Sequence, residues 1–249
     1  MEEGTEVLRA EGLHKRFGAT RAVQGVSLRI RAGERVGIVG PNGAGKTTTL
    51  LMLLGAVSPD AGTVDLVGHR LPGGRSEAMR RVGFAAGYLP LPDRLTVLET
   101  LHFFAELYGV ERPGARVGAV LDELSIRHLA GQHCESLSSG QATLVGIAKA
   151  VLHHPRLVVL DEPTASLDPD VAIRVRDRLE LLNAEHDVTL LLTSHDMREV
   201  ERLTDRVVFL RDGQVIADGH PAEVVAGSGH ADLEAMFLAE AARRREEQV

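Results

Sequence analysis

The stretch VGIVGPNGAGKTTTLLMLL, residues 36–54, sets an apolar run, a glycine-rich loop and a second apolar run end to end. The first run belongs to a strand read from Glu34 to Val39; the last, opened by threonines, reads as a helix. Between them Gly40, Pro41, Asn42, Gly43, Ala44, Gly45, Lys46, Thr47 and Thr48 fit the pattern G-x-x-x-x-G-K-[ST]. A loop of this kind ahead of a helix lets backbone N–H groups converge on phosphate oxygens at the positive end of the helix dipole. Lys46 is expected to bring a compact positive charge to the β- and γ-phosphates, and the Thr47 hydroxyl to ligate Mg2+. The order of strand, loop and helix predicts an α/β protein with a phosphate site.

On the N-terminal side, Val26, Leu28 and Ile30 alternate with polar residues, RAG (31–33) makes a turn, and Thr63 to Val67 is a further strand. From about Thr96 to Leu129 the period becomes helical. Thr96 and Glu99 have capping-box spacing ahead of Leu101, Phe103, Phe104 and Leu107, and Val117, Val120, Leu121 and Leu124 mark a second helix. LVVL (157–160) and VTLLLTS (188–194) are continuous apolar runs, which suit a parallel sheet covered on both faces. Val171 to Leu182 is helical between them. Val207 to Leu210, the turn RDGQ and Val215 to Ala217 predict a hairpin. Leu233, Met236 and Phe237 lie at helical spacing and are expected to pack on the core.

Composition narrows the function. An apolar fraction of 44% in 249 residues is enough for a continuous core. A net charge of −7 and 3% aromatic residues argue against a nucleic-acid partner, which needs a basic footprint or exposed rings. One cysteine, Cys134, excludes an internal disulfide and predicts a reducing compartment. The opening residues MEEGTEVLRAEGL predict no secretory leader, and no apolar run approaches the ~20 residues of a membrane span. Any membrane link is expected to come through another chain.

Two further motifs carry chemistry. LVVLDEP ends a buried strand on Asp161, where open α/β sheets place ligands. Asp161 is expected to hold Mg2+, and Glu162 to polarise the attacking water as general base, a role worth ~10²–10⁴-fold. VTLLLTSHD ends a strand with His195, placed to donate to the γ-phosphate or to orient the water. His153 and His154 precede Pro155 in a helix-to-strand turn, without metal-ligand spacing.

These motifs, with LSSGQ (137–141) standing about twenty residues before LVVLDE, resemble the ATP-binding cassette (ABC) ATPases over about residues 7–220. ASLDP with Asp168 is similar to that family's D-loop, His195 to its switch histidine, and HKRFG to the loop where an aromatic residue, here Phe17, stacks on adenine. The resemblance implies a P-loop NTPase core with a mostly parallel sheet, an N-terminal antiparallel β-subdomain and an α-helical subdomain. It sets an ATPase domain over 1–222, the helical subdomain inserted at about 90–150, and a short helical extension over 223–249. ATP and Mg2+ are the implied cofactors. Ser138, Ser139, Gly140 and Gln141 would form a second phosphate cradle, laid over the nucleotide of another subunit in a head-to-tail dimer.

LTVLETLHFFAELYGV and DLEAMFLAE are similar to exporter-type ATPase subunits. These work with a separate integral membrane subunit, expected to dock near 87–104, at the cytoplasmic face of the plasma (inner) membrane. Alternatives are a non-transport ABC ATPase acting on ribosomes or DNA, and a regulatory ATP sensor. One departure stands out. The family's loop glutamine, counted back from LTV (95–97), falls on Gly87, and no glutamine occurs between Gln24 and Gln132. A poorly active nucleotide binder and a slow but competent ATPase are both compatible with that change.

Overall fold

The computed structural model describes residues 4–87, 89–165, 167–186 and 188–247, without the side chains of 182, 184–186 and 244–247. The chain folds into two units, one of residues up to Ala78 joined by those from Thr189 onward, the other of Met79–Val188.

The first unit contains two sheets. β1 (Glu6–Phe17), β2 (Thr20–Arg31), β4 (Ala61–Leu66) and β5 (His69–Arg70) make an antiparallel sheet in the order β2-β1-β4-β5. Leu8 faces Ile30 and Ala10 faces Leu28 across the first pair, all buried, so the alternation read at 26–30 marks the covered face. β1 itself is poorly legible, since bulges after Ala10 and Leu13 interrupt its alternation. β3 (Arg35–Val39) lies between β8 (Thr189–Thr193) and β9 (Arg206–Arg211), parallel to both, and β10 (Gln214–Gly219) closes the edge antiparallel to β9. Val36, Ile38 and Val39 are at most 1% exposed, and burying each contributes about 1.5–3 kcal/mol. Asp212 and Gly213 take φ of 46° and 78° in the hairpin turn, the conformation that favours Asp-Gly.

Helix α1 (Lys46–Leu53) follows β3, and α2 (Arg75–Met79) ends the N-terminal part of this unit. α7 (Met197–Leu203), α8 (Pro221–Ser228) and α9 (Leu233–Glu247) complete it. α9 packs on α7 and α8. Leu233 and Met236 are buried there and Phe237 is half-buried, so two of the three residues read as core-packing are fully covered.

In the second unit β6 (Val82–Ala86) runs parallel to β7 (Leu157–Asp161), with Ala86 opposite Asp161. α3 (Val97–Leu107), α4 (Pro113–Glu123), α5 (Ser139–Val151) and α6 (Pro169–His186) supply its helices. α3 opens on the expected capping box: the Glu99 N–H donates to Thr96 Oγ1 at 3.2 Å, and the Thr96 N–H to Glu99 Oε2 at 2.8 Å. That N–H holds the Glu99 carboxyl below its ordinary pKa. Among the described residues no helix is long and apolar enough to cross a membrane.

Candidate functional site

The phosphate loop lies in the first unit and is shaped by close backbone approaches. Gly40 has φ 145°, and a Cβ there would lie 2.1 Å from the Leu210 carbonyl oxygen. Gly45 has φ 99°, and a Cβ would lie 2.4 Å from the Ala22 oxygen. Both positions therefore exclude a side chain. The Gly213 N–H donates to the Ala44 oxygen at 2.9 Å, so the β9–β10 turn braces the loop from outside. Sequence reading marked that turn as a hairpin only and missed its second use.

Lys46 is 6% exposed, and its Nζ donates to the Gly40 oxygen at 2.7 Å. The ammonium is thus held over the loop by the loop's own carbonyl. α1 begins at Lys46 with Gly45 as N-cap, no side-chain cap and no acid in its first turn. The N–H groups of a first helical turn have no partner within the helix, and the dipole there amounts to about half a positive charge. With Asn42, Gly43 and Thr47 exposed, this surface suits an anion.

His195 belongs to the same unit. In the parallel register Ile38 lies opposite Thr193, so Gly40 and His195, each two residues further, leave neighbouring strands at one end. The imidazole residue is exposed, and the turn beneath it is fixed by buried groups. The Ser194 hydroxyl bonds the Glu199 carboxylate, the Asp196 N–H donates to Ser194 Oγ at 3.0 Å, and Asp196 caps α7. Glu199 had no place in the sequence reading; its spacing of three from Asp196, that of a cap and an acid in the first turn, was its only signal. HKRF, read as loop, forms the end of β1, and Gly18 and Ala19 make the turn. Phe17 is 52% exposed there, with Lys15 Nζ 5.5 Å from its ring centroid.

In the second unit Asp161 is 2% exposed at the end of β7. Glu162 follows at φ 49°, a left-handed conformation unusual for this residue type, and its carbonyl accepts the Ala165 N–H at 3.2 Å. The backbone therefore reverses directly after the strand that carries Asp161. Asp168 is exposed just before α6, and its carbonyl accepts the Ala172 N–H. Gly87 leaves β6 beside Glu162: a Cβ on Gly87 would meet the Glu162 oxygen at 3.6 Å, an ordinary contact. Neither space nor positive φ demands glycine at 87.

The second cradle opens α5. Ser138 is the N-cap: its Oγ accepts the Gln141 N–H at 3.3 Å, and Gln141 Oε1 accepts the Ser138 N–H at 2.9 Å. Ser138 and Ser139 are exposed, whereas Gly140 is buried, and a Cβ there would come 2.1 Å from Val171 Cγ1 on α6. Close helix packing explains that glycine. Near Gly87 an apolar cleft is lined by Leu89, Leu91, Thr143, Ile147 and Lys149. Lys149 Nζ lies 5.0 Å from the Phe104 ring centroid, and burial holds its pKa below the ordinary value. Leu98, Phe103 and Leu107 are exposed on α3, and Tyr88 lies outside the described residues.

A glycine-cradled helix N-terminus with a lysine folded over it defines a P-loop nucleotide-binding protein. A family model described as ABC transporter matches residues 23–165. The chain is 39% identical over 225 residues to a Nod factor export ATP-binding protein I of Ralstonia nicotianae, covering 89% of this chain and 69% of that one. A solved ATP-binding subunit of an ABC transporter superposes with a TM-score of 0.83 at 27% identity, over 94% of this chain and 98% of that one. A dimeric ATP-binding cassette in a post-hydrolysis state, bound to ADP and Pi, superposes with a TM-score of 0.74 at 25% identity, over 86% and 98%. The chain belongs to the ABC transporter family. It is one of that family's ATP-binding, ATP-hydrolysing cassettes.

Proposed function

We propose that this cassette drives an exporter whose membrane-spanning part is a separate protein, and that two cassettes close head to tail on ATP to do so. The observation that carries the reading is the pair of helix N-termini without first-turn acids, α1 at the phosphate loop and α5 at LSSGQ. One chain supplies two anion-receptive ends, and the dimeric relative supports their use across a two-fold axis. Export-type relatives support the direction of transport.

Within this reading Lys46 and the first-turn N–H groups of α1 bind the β- and γ-phosphates, and Phe17 offers its exposed ring to the base. Stacking of that kind is worth roughly 1–3 kcal/mol. Thr47 and Asp161 present a hydroxyl and a carboxylate, hard oxygen donors suited to Mg2+, which when bound neutralises charge on the phosphates. Glu162 takes the proton of the attacking water, and His195 holds the γ-phosphate. Ser138 Oγ accepts the Gln141 N–H and keeps its own O–H to donate to the partner's nucleotide. Asp168, exposed ahead of α6, would join this junction. The cleft beside Gly87, with exposed Phe103 and Leu107, receives a cytoplasmic helix of the membrane subunit. The cassette then works at the inner face of the plasma membrane.

Glu162→Gln removes the base and keeps the shape. It should lower turnover by ~10²–10⁴-fold and trap a dimer on ATP, read by light scattering with and without nucleotide. Full ATPase activity in that variant would remove Glu162 from this role. Charging Leu91 or Leu95 should cost co-purification with the membrane subunit while leaving ATP binding intact; unchanged co-purification would move the docking site elsewhere.

A further inference from the structure

A second cavity in the Met79–Val188 unit has nothing to do with the nucleotide motifs. Its volume is about 480 Å³, within the range of small-molecule sites. Arg80, Tyr108, Arg112, Arg116, His153 and His154 line it, with Glu111 as the one carboxylate. It touches the Val82 end of β6, whereas Gly87 follows the other end, roughly 13 Å along the strand at the usual rise per residue. In a chain of net charge −7, such a concentration of cationic side chains is a local reversal.

The lining residues divide into a fixed floor and open arms. Arg116 is 10% exposed, and its guanidinium donates to the Val151 oxygen at 2.8 Å, the Leu152 oxygen at 3.1 Å and Glu123 at 3.0 Å. It closes the last turn of α5 and holds the floor. Arg80 and Arg112 are exposed, and among the described residues neither makes an ion pair. His153 Nε2 lies 3.2 Å from the Val82 carbonyl oxygen, so Nε2 carries the proton and Nδ1 presents a lone pair. That Nδ1 is buried and has no hydrogen-bond partner among the described residues. The Tyr108 ring packs against the imidazole at 4.4 Å between centroids and fixes its plane.

We propose that this cavity is a second anion site, built for a phosphate monoester. Two guanidinium forks suit an anion with several terminal oxygens, and the covered Nδ1 of His153, a residue that lines the cavity, can take a proton from that ligand once it seats. A monoester has three terminal oxygens and a second pKa near 6, so one proton can lie between its oxygen and Nδ1 at neutral pH. A carboxylate, with two oxygens and a pKa of about 4, brings no such proton. A free phosphorylated metabolite and the headgroup of phosphatidic acid share this chemistry.

The test uses the full chain saturated with Mg-ADP, so that the phosphate loop is already filled. Glycerol 3-phosphate is titrated while the ring-nitrogen resonances of His153, assigned with His153→Asn, are followed. Nδ1 should move toward the protonated position, and Arg80→Ser/Arg112→Ser should weaken the response at least tenfold with the ATPase rate unchanged. The single variants, each altering one exposed side chain, carry the same test should the double one fold poorly. A response to glycerol 3-phosphate identifies a soluble ligand. A response only to vesicles of phosphatidic acid in phosphatidylcholine, and not to phosphatidylcholine alone, identifies a headgroup. Silence in both arms, an equal response to acetate, or unchanged affinity in the arginine variants overturns the proposal.

Discussion

Two helix N-termini in this molecule face the same chemical task with opposite local solutions. α1 starts from Gly45 at φ 99°, without a side-chain cap, and leaves its first-turn donors to whatever binds. α5 starts from Ser138 and spends the Gln141 N–H on its own cap. An uncapped helix end is a standing cost that a bound anion relieves; a capped one is stable alone and offers only what the cap leaves over. On the proposed reading, the phosphate loop holds nucleotide in a single cassette, whereas LSSGQ waits for one.

Variants can break or sharpen that contrast. The largest effect is expected at the uncapped end: Lys46→Ala should cost about 10²–10³-fold in ATPase rate, with circular dichroism unchanged. At the capped end, Ser138→Asp keeps a good N-cap but sets a negative charge where phosphate should arrive. It should abolish ATP-driven dimerisation by light scattering while thermal stability and binding of the first nucleotide persist. Dimers that form normally would place the second phosphate contact elsewhere. Gly87→Gln makes only an ordinary contact at its Cβ and should raise turnover by about tenfold if a missing amide limits the rate. A flat rate would mean the site is complete without it. The smallest effect is that of Ser138→Ala on stability, about 1 kcal/mol from the cap and a fall of roughly 2–4 °C in Tm.

The sequence was most informative where a residue's job is local. GPNGAGKTT declares its loop because glycine and lysine types are forced by backbone approach and charge, and the Thr96–Glu99 cap closes within one turn. LVVLD and TLLLT announce buried strands because both faces are covered. What sequence could not show depends on distant partners. β1 hides behind its bulges, Phe84 and the other residues of β6 were lost in an apolar stretch broken by Gly and Pro, and Gly140 is glycine because of Val171. The basic cavity was illegible for the same reason. Arg80, Arg112 and His153 converge only after β6, α4 and α5 are packed, and their spacing matches no motif.

The brace on the phosphate loop also sets a timetable. Gly40 is shaped by the Leu210 carbonyl and Ala44 is held by Gly213, so the loop depends on chain made long after it. From Ala44 to Gly213 is 169 residues, roughly ten to thirty seconds of synthesis at common elongation rates. Through that interval a nascent chain carries the whole GKTT sequence without the walls that give it form. Nucleotide capture is therefore a late event in the life of each new molecule, and a ribosome-held fragment ending before residue 210 should retain no ATP.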